Sequence, residues 1–259
     1  MKVAKLLAIL AMAIAVLTGA YLLWPSGNGP APLLSSAVAI PLATEPGSFA
    51  VTMRIENRGG PDRLTGARSD EATSVAITGG TTPEGLPIPA DGTPLLAMDG
   101  AHLRLSGLTG DPAEGRLIPL TLHFDTAGDI TTRARISAPD PNDHAAHGMD
   151  RTLDLGPIEV APKVMMDLRP EGDGWTIKLD TGAFQLTETG VDGENVPGQG
   201  HAHLYLDGLK LERMYGPIAH IGALPVGQHI IQVILNTHDH RAIHAGGKPV
   251  GAIALIDVR

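Results

Sequence analysis

The chain has 259 residues, a formal net charge of −9 and no cysteine. The acidic balance, without a basic stripe, argues against nucleic acid as a partner. The lack of cysteine excludes disulfides, thiolate zinc sites and thiolate-bound blue copper, so soft-metal chemistry must use histidine and methionine. Short apolar runs separated by many of the 32 glycines and 21 prolines predict an all-β protein.

The N-terminus has the pattern of an export signal. Lys2 and Lys5 precede an uncharged, largely apolar stretch from Leu6 to Trp24, which is about the length that crosses a bilayer. We expect residues 1–24 to be an uncleaved helical anchor in the inner membrane, with the remainder in the periplasm. A cleaved signal is the alternative, and there is no cysteine to carry a lipid anchor.

The rest of the chain divides at two segments rich in turn-forming residues. We expect a linker at residues 25–36, a first β-sandwich at 37–138, an exposed linker at 139–151 and a second β-sandwich at 152–259.

The first predicted domain carries several motifs in a characteristic order. Residues 53–57, 62–64 and 86–92 precede the segment 100–108, and the strand 115–124 follows. Over residues 37–136 the sequence resembles the PCu(A)C family of periplasmic copper chaperones. The resemblance implies a cupredoxin-like β-sandwich that holds Cu(I) through histidine and methionine.

The ligand pattern of that family is incomplete here. Its His-x-Met motif corresponds to His102-Leu103-Arg104, which keeps the histidine and replaces the methionine by a cation. The segments 74–78 and 81–85 lack the other expected histidine and methionine. We therefore expect a degenerate site at His102, in a domain that serves as a scaffold or partner surface.

The predicted linker contains His144, His147 and Met149. Family members often carry a tail rich in histidine and methionine after this domain, so the resemblance implies an auxiliary copper site. A polar linker with incidental histidines is the alternative.

Seven of the eleven histidines fall between residues 201 and 244. Within this region Asp207-Gly208 predicts a two-residue hairpin turn, which pairs Leu206 with Leu209. Counting outward from the turn places His203 opposite Glu212 and His201 opposite Met214.

Because side chains alternate along a strand, the leucines of this hairpin would face the core, and the histidines and methionine would share the other face. Imidazole and thioether together favour copper over hard cations. Beyond the buried strand 230–235, His238 and His240 share a face and can be presented to the same site. His220 follows the hairpin and can close over it, whereas His229 and His244 are expected in turns or on the surface.

These patterns predict a copper site formed chiefly by His201, His203, Met214 and His240, with His238 and His220 as further candidates. A solvated, histidine-rich sheet face is the alternative. The later segment also resembles, loosely, exported β-domains found beside copper-handling proteins.

No nucleophile, zinc-protease or phosphate-loop motif is present. We therefore expect a non-enzymatic periplasmic copper-binding protein, either a metallochaperone or a copper homeostasis or resistance factor. Its partners would be the copper ion, a periplasmic or membrane cuproprotein acceptor and the inner membrane. The alternatives are a scaffold that binds another exported protein and a copper-dependent oxidative enzyme.

Overall fold

The computed structural model describes residues 29–138, 152–156 and 158–259. Every regular element in these ranges is a β-strand, which confirms the all-β prediction there. Within the same ranges, no helix has the length and apolar character to cross a membrane. The predicted anchor at 1–24 and the predicted linker at 139–151 lie outside the described residues.

Residues 29–138, called the first half below, contain nine strands. These are β1 (Leu33–Pro41), β2 (Ser48–Glu56), β3 (Asp62–Arg68), β4 (Ala72–Thr78), β5 (Leu86–Ile88), β6 (Leu95–Leu96), β7 (His102–Leu108), β8 (Leu117–Phe124) and β9 (Gly128–Ile136). Since β1 begins at Leu33, the end of the predicted linker 25–36 is already strand.

Strand pairing in the first half runs in two directions from β1. On one side β1 pairs with β2, β2 with β7 and β7 with β4. On the other, β1 pairs in parallel with β9, β9 with β8 and β8 with β3. Alternate residues of β8, from Ile118 to Phe124, are buried and pack with residues such as Leu103 and Leu105 in a first apolar core.

Residues 152–156 and 158–259, called the second half, contain eleven strands. These are β10 (Thr152–Leu155), β11 (Met165–Glu171), β12 (Gly174–Asp180), β13 (Gln185–Leu186), β14 (Gln199–Leu206), β15 (Leu209–Met214), β16 (Ile218–Ile221), β17 (Gly227–Asn236), β18 (Ala242–Ala245), β19 (Lys248–Pro249) and β20 (Gly251–Val258). β17 pairs with β14 and β20, and β14 pairs with β15.

A three-stranded sheet in the order β11–β12–β16 completes the second half. Ile177 of β12 and alternate residues of β17, namely Ile231, Val233 and Leu235, have no exposed surface. They pack together in a second apolar core, as expected for strands that turn one face inward.

The two halves meet through the β14–β15 hairpin. Lys210 in β15 pairs with Leu95 in β6, so strand pairing continues from one half into the other. The Ala101 amide donates to the Gly208 carbonyl at 2.7 Å, and Leu209 packs in the first core. Two separate sandwiches are therefore not confirmed, because pairing and packing both cross the expected boundary.

The hairpin turn itself matches the prediction. Asp207 and Gly208 have φ values of 49° and 86°, the positive values that a type I′ turn requires. A Cβ atom on Gly208 would lie 2.1 Å from the Gly79 carbonyl oxygen, so a side chain at this position would collide with the first half.

Candidate metal centre

The β14–β15 hairpin keeps its predicted turn but not its predicted register. Leu206 pairs with Leu209 as expected. Tyr205 pairs with Lys210 but Leu204 pairs with Glu212, so a β-bulge leaves Leu211 of β15 without a partner on β14. Every pair beyond the bulge is shifted by one residue, which reverses the face of the later side chains.

This shift removes Met214 from the histidine face. Met214 pairs with Ala202 and is buried in the second core. The predicted pairing of His201 with Met214 and of His203 with Glu212 is therefore wrong, and the thioether does not share a face with the imidazoles.

Three of the predicted ligands come together. His201 and His203 project from the same face of β14, and His240 lies in the turn after β17. Their candidate ligand atoms all lie within 4.8 Å of one another. The Nε2 atoms of His201 and His203 are 3.0 Å apart, and the ring centroids of His201 and His240 are 4.7 Å apart. We call these three residues the histidine cluster.

Burial keeps two of these rings uncharged. His201 is 0% exposed and His203 is 2% exposed. Burial, with the adjacent His203, lowers the pKa of His201 to about 2. Burial and Lys210 lower the pKa of His203 to about 4, although its hydrogen bond to Asp99 acts in the opposite direction. Neutral imidazole is the form that binds metal ions.

A carboxylate from the first half reaches the cluster. Asp99, between β6 and β7, places Oδ2 3.0 Å from His203 Nδ1 and 2.6 Å from Lys210 Nζ. The Tyr205 hydroxyl donates to the same oxygen at 3.1 Å. Burial raises the pKa of Asp99, but the hydrogen bond from His203 and the charge of Lys210 outweigh it, so this pKa lies well below its usual value. Asp99 is therefore ionised.

His240 also contacts a carboxylate. Asp192, in the segment between β13 and β14, places Oδ1 2.6 Å from His240 Nε2. The Asp192 amide donates to the His238 carbonyl at 3.0 Å, which ties this segment to the turn that carries His240. Sequence reasoning missed Asp99 and Asp192 because each is distant along the chain from the histidine it contacts, and neither lies in a recognisable motif.

Arg213 lies opposite His203 across the β14–β15 pairing. Its charge lowers the pKa of both His201 and His203, after the larger effect of burial. The histidine cluster therefore has a cation beside it as well as the carboxylate of Asp99.

The other predicted ligands of the second half are not part of the cluster. His238 is buried beneath Gly190, and its ring nitrogens have no hydrogen-bond partner among the described residues. His220 is 67% exposed at its side chain and lies 3.1 Å from the Thr176 hydroxyl in the three-stranded sheet.

The remaining predicted ligands lie elsewhere. His102 begins β7 and its Nδ1 is 3.1 Å from the Gly100 carbonyl oxygen, outside the cluster. His144, His147 and Met149 lie outside the described residues.

The histidine cluster thus offers nitrogen donors alone. Imidazole suits copper, zinc, iron and nickel, whereas thioether and thiolate donors select Cu(I). The arrangement can hold a transition-metal ion through His201, His203 and His240, with a carboxylate behind two of the rings. Carboxylates that accept the second ring proton of a ligating histidine orient the ring and raise its basicity.

Comparison with known proteins covers mainly the first half. Residues 35–136 match the family model LpqE-like, which describes LpqE-like lipoproteins. No curated protein gives a significant match to the chain.

Solved structures include a copper-bound PCuAC domain from PmoF2, with 24% identity, 44% of this chain and 97% of that chain covered, and a TM-score of 0.38. The solution structure of CuI-DR1885 from Deinococcus radiodurans has 24% identity, 43% and 81% coverage and a TM-score of 0.36. Fibronectin(III)-like modules of Clostridium thermocellum CbhA have 11% identity, 88% and 94% coverage and a TM-score of 0.23. The family model covers nearly the same residues as the resemblance predicted for 37–136, and it confirms that residues 35–136 form an LpqE-like region.

Proposed function

We propose that this protein is an exported copper-binding protein that carries the ion at the histidine cluster. The observation that supports this most directly is the convergence of His201, His203 and His240, two of them buried and uncharged, within 4.8 Å. Uncharged imidazoles in such proximity are arranged for a shared ion rather than for solvent.

Unsatisfied polar atoms around the cluster also support a bound ion. His201 Nδ1 and Asp99 Oδ1 are buried without a hydrogen-bond partner among the described residues. Most buried polar atoms in proteins have a partner, which can be a protein group, water or an ion. The donor set therefore fits a metal ion with associated water.

Copper is the proposed ion for two reasons. Nitrogen sites bind Cu(II) more tightly than the other divalent ions of the first transition row. The LpqE-like, PCuAC-related region at 35–136 supports the same choice, since the sequence there resembles copper chaperone domains. With Met214 in the second core, the case for a thioether-assisted Cu(I) site is weaker than the sequence indicated.

The proposed location and role of the protein are supported by the family match and by residues 1–24. The match to a lipoprotein family supports a location in the cell envelope, and residues 1–24 support export and anchoring in the inner membrane. We propose that the protein passes copper to a periplasmic or membrane cuproprotein and acts as a carrier rather than an enzyme. His144, His147 and Met149 would provide an auxiliary site beside it.

The test is metal titration of the full chain in detergent, with Cu(II), Cu(I) and Zn(II) measured separately against a competing chelator. A His144→Ala/His147→Ala background removes binding at the auxiliary site. In that background we expect one tight Cu(II) site that zinc displaces poorly, lost in His201→Ala/His203→Ala and kept in the matched control His220→Ala/His102→Ala. Equal copper binding by the two double variants would overturn the assignment.

A further inference from the structure

We infer that Asp99 is a positioning residue of the metal centre, supplied by the first half to a site whose ligands all lie in the second half. This inference rests on the proposed function of the histidine cluster. It concerns which nitrogen of His203 faces the ion and which part of the chain decides that.

The contacts of His203 Nδ1 decide which ring nitrogen carries the proton. Its Nδ1 lies 3.0 Å from Asp99 Oδ2, and the same oxygen is 2.6 Å from the Lys210 ammonium. A carboxylate paired with an ammonium accepts hydrogen bonds and donates none. Nδ1 of His203 must therefore carry the proton. Tyr205 agrees with this, because its hydroxyl donates to Asp99 and leaves its oxygen, 3.2 Å from Nδ1, free to accept.

Asn236 fits the same tautomer once its side-chain amide is turned by 180°. Its Nδ2 lies 3.0 Å from His203 Nδ1, while its Oδ1 is buried without a partner. Turning the amide by 180° brings the oxygen to Nδ1–H, where it accepts, and the oxygen and nitrogen of an amide are interchangeable in shape. Two neighbours, Asp99 and the reoriented Asn236, then both favour a proton on Nδ1.

This tautomer decides which nitrogen of His203 has the metal-binding lone pair. A neutral ring with its proton on Nδ1 has its lone pair on Nε2. That Nε2 is the atom 3.0 Å from His201 Nε2, at the centre of the histidine cluster. Asp99 therefore directs the metal-binding lone pair of His203 into the cluster, whereas the opposite tautomer would fill the same position with a proton.

Asp99 is held in place by Lys210 of the second half. Lys210 is buried, and its backbone pairs with Leu95, four residues before Asp99. The carboxylate is thus fixed by the strand pairing that joins the two halves. Asp99 thus gives the first half a part in the site of the second half. Metal affinity is therefore coupled to docking of the halves at the Asp99–Lys210 contact, and this coupling is reciprocal.

The test uses the full chain with the His144→Ala/His147→Ala background. Asp99→Leu/Lys210→Met removes the carboxylate without leaving a buried ammonium unpaired, and Asp99→Asn removes only the charge. The matched control is Arg63→Met, which removes another contact between the halves, from Arg63 Nη2 to the Val226 carbonyl at 2.7 Å, away from the histidines.

The first readout needs no metal. Long-range nitrogen–proton NMR of histidine-labelled protein should show His203 with Nδ1 protonated in the wild type and a mixture of tautomers in Asp99→Leu/Lys210→Met. A wild-type His203 protonated on Nε2 would overturn the inference whether or not the protein binds copper.

The second readout is copper affinity, with the electron paramagnetic resonance spectrum of bound Cu(II) recorded in parallel. Loss of a carboxylate behind a ligating histidine costs about 10- to 100-fold in metal affinity. We expect that loss in Asp99→Leu/Lys210→Met with an altered spectrum, a smaller loss in Asp99→Asn, and neither in Arg63→Met.

Each copper result has a defined meaning. Wild-type affinity in both Asp99 variants, or an equal loss in Arg63→Met, would overturn positioning by Asp99 while leaving the copper site intact. Absence of a wild-type copper site would overturn the proposed function, and the NMR readout would then decide the tautomer alone. If Asp99→Leu/Lys210→Met fails to fold, Asp99→Asn and the wild-type tautomer still decide the inference.

Discussion

His229 Nδ1 lies 2.7 Å from Asp207 Oδ2, and neither side chain has any exposed surface. The other oxygen of Asp207 accepts the Ile230 amide at 2.7 Å, and His229 Nε2 faces the Pro225 carbonyl at 2.7 Å. Both ring nitrogens of His229 thus have a hydrogen-bond partner. His229 was expected in a turn or on the surface. It is instead buried against Asp207 of the β14–β15 turn, which packs against the first half.

We predict that His229→Ala lowers the free energy of unfolding by about 3–5 kcal/mol, because it leaves the buried Asp207 side chain without its histidine partner. The measurement is denaturant unfolding of the metal-free full chain, with the exposed His220→Ala as control. Asp207→Asn/His229→Gln, which replaces both members of the pair, should lose less. A loss under about 1 kcal/mol in His229→Ala would show that the pair contributes little.

We predict that acid destabilises the metal-free protein through His201 and His203. Folding lowers their pKa values from 6.5 to about 2 and about 4, so below pH 6.5 the unfolded state binds more protons than the folded state. Their contribution to stability is therefore present above pH 6.5 and is lost as the pH falls toward 4.

Unfolding free energies measured between pH 4 and 6.5 test this. Each histidine contributes a slope of about 1.4 kcal/mol per pH unit, and the two together up to about 2.7. The slope should be smaller by that amount in His201→Gln/His203→Gln than in the wild type. Parallel pH profiles for the two proteins would contradict the prediction.

We predict that Met214→Leu leaves copper affinity within about twofold of the wild type, because Met214 packs in the second core and not beside the histidines. The change conserves volume and should cost less than about 1.5 kcal/mol of stability. Chelator competition measures the affinity, and His203→Ala provides the comparison that should lose it. A large affinity loss in Met214→Leu would instead support the pairing of Met214 with His201 that the sequence predicted.

We predict that Arg213→Met raises copper affinity about three- to tenfold, because a cation opposite His203 repels a bound ion. The increase should shrink with added salt, since screening already weakens the repulsion in the wild type. The control is Arg241→Met, which should change copper affinity little because the Arg241 side chain is paired with Asp239. An unchanged or lowered affinity in Arg213→Met would exclude this repulsion.

Local patterns in the sequence were enough for the strands, the Asp207-Gly208 turn and the clustering of His201, His203 and His240. The bulge opposite Leu204 and Tyr205 was not predictable, because the alternation of leucines and histidines in the sequence is also compatible with a regular ladder. Asp99 and Asp192 were not predictable either, since their contacts depend on how distant segments meet. The buried position of His229 depends likewise on its contact with Asp207, 22 residues earlier in the chain.

The bulge that adds Leu211 to β15 has a consequence for metal preference. If Leu211 paired with Leu204 in a regular ladder, each later residue of β15 would move by one position, and Met214 would lie opposite His201. The cluster would gain a sulfur donor, which favours Cu(I), without any change in the sequence of potential ligands. Whether this one residue is paired or bulged therefore decides whether the cluster presents nitrogen donors alone or nitrogen donors with a sulfur.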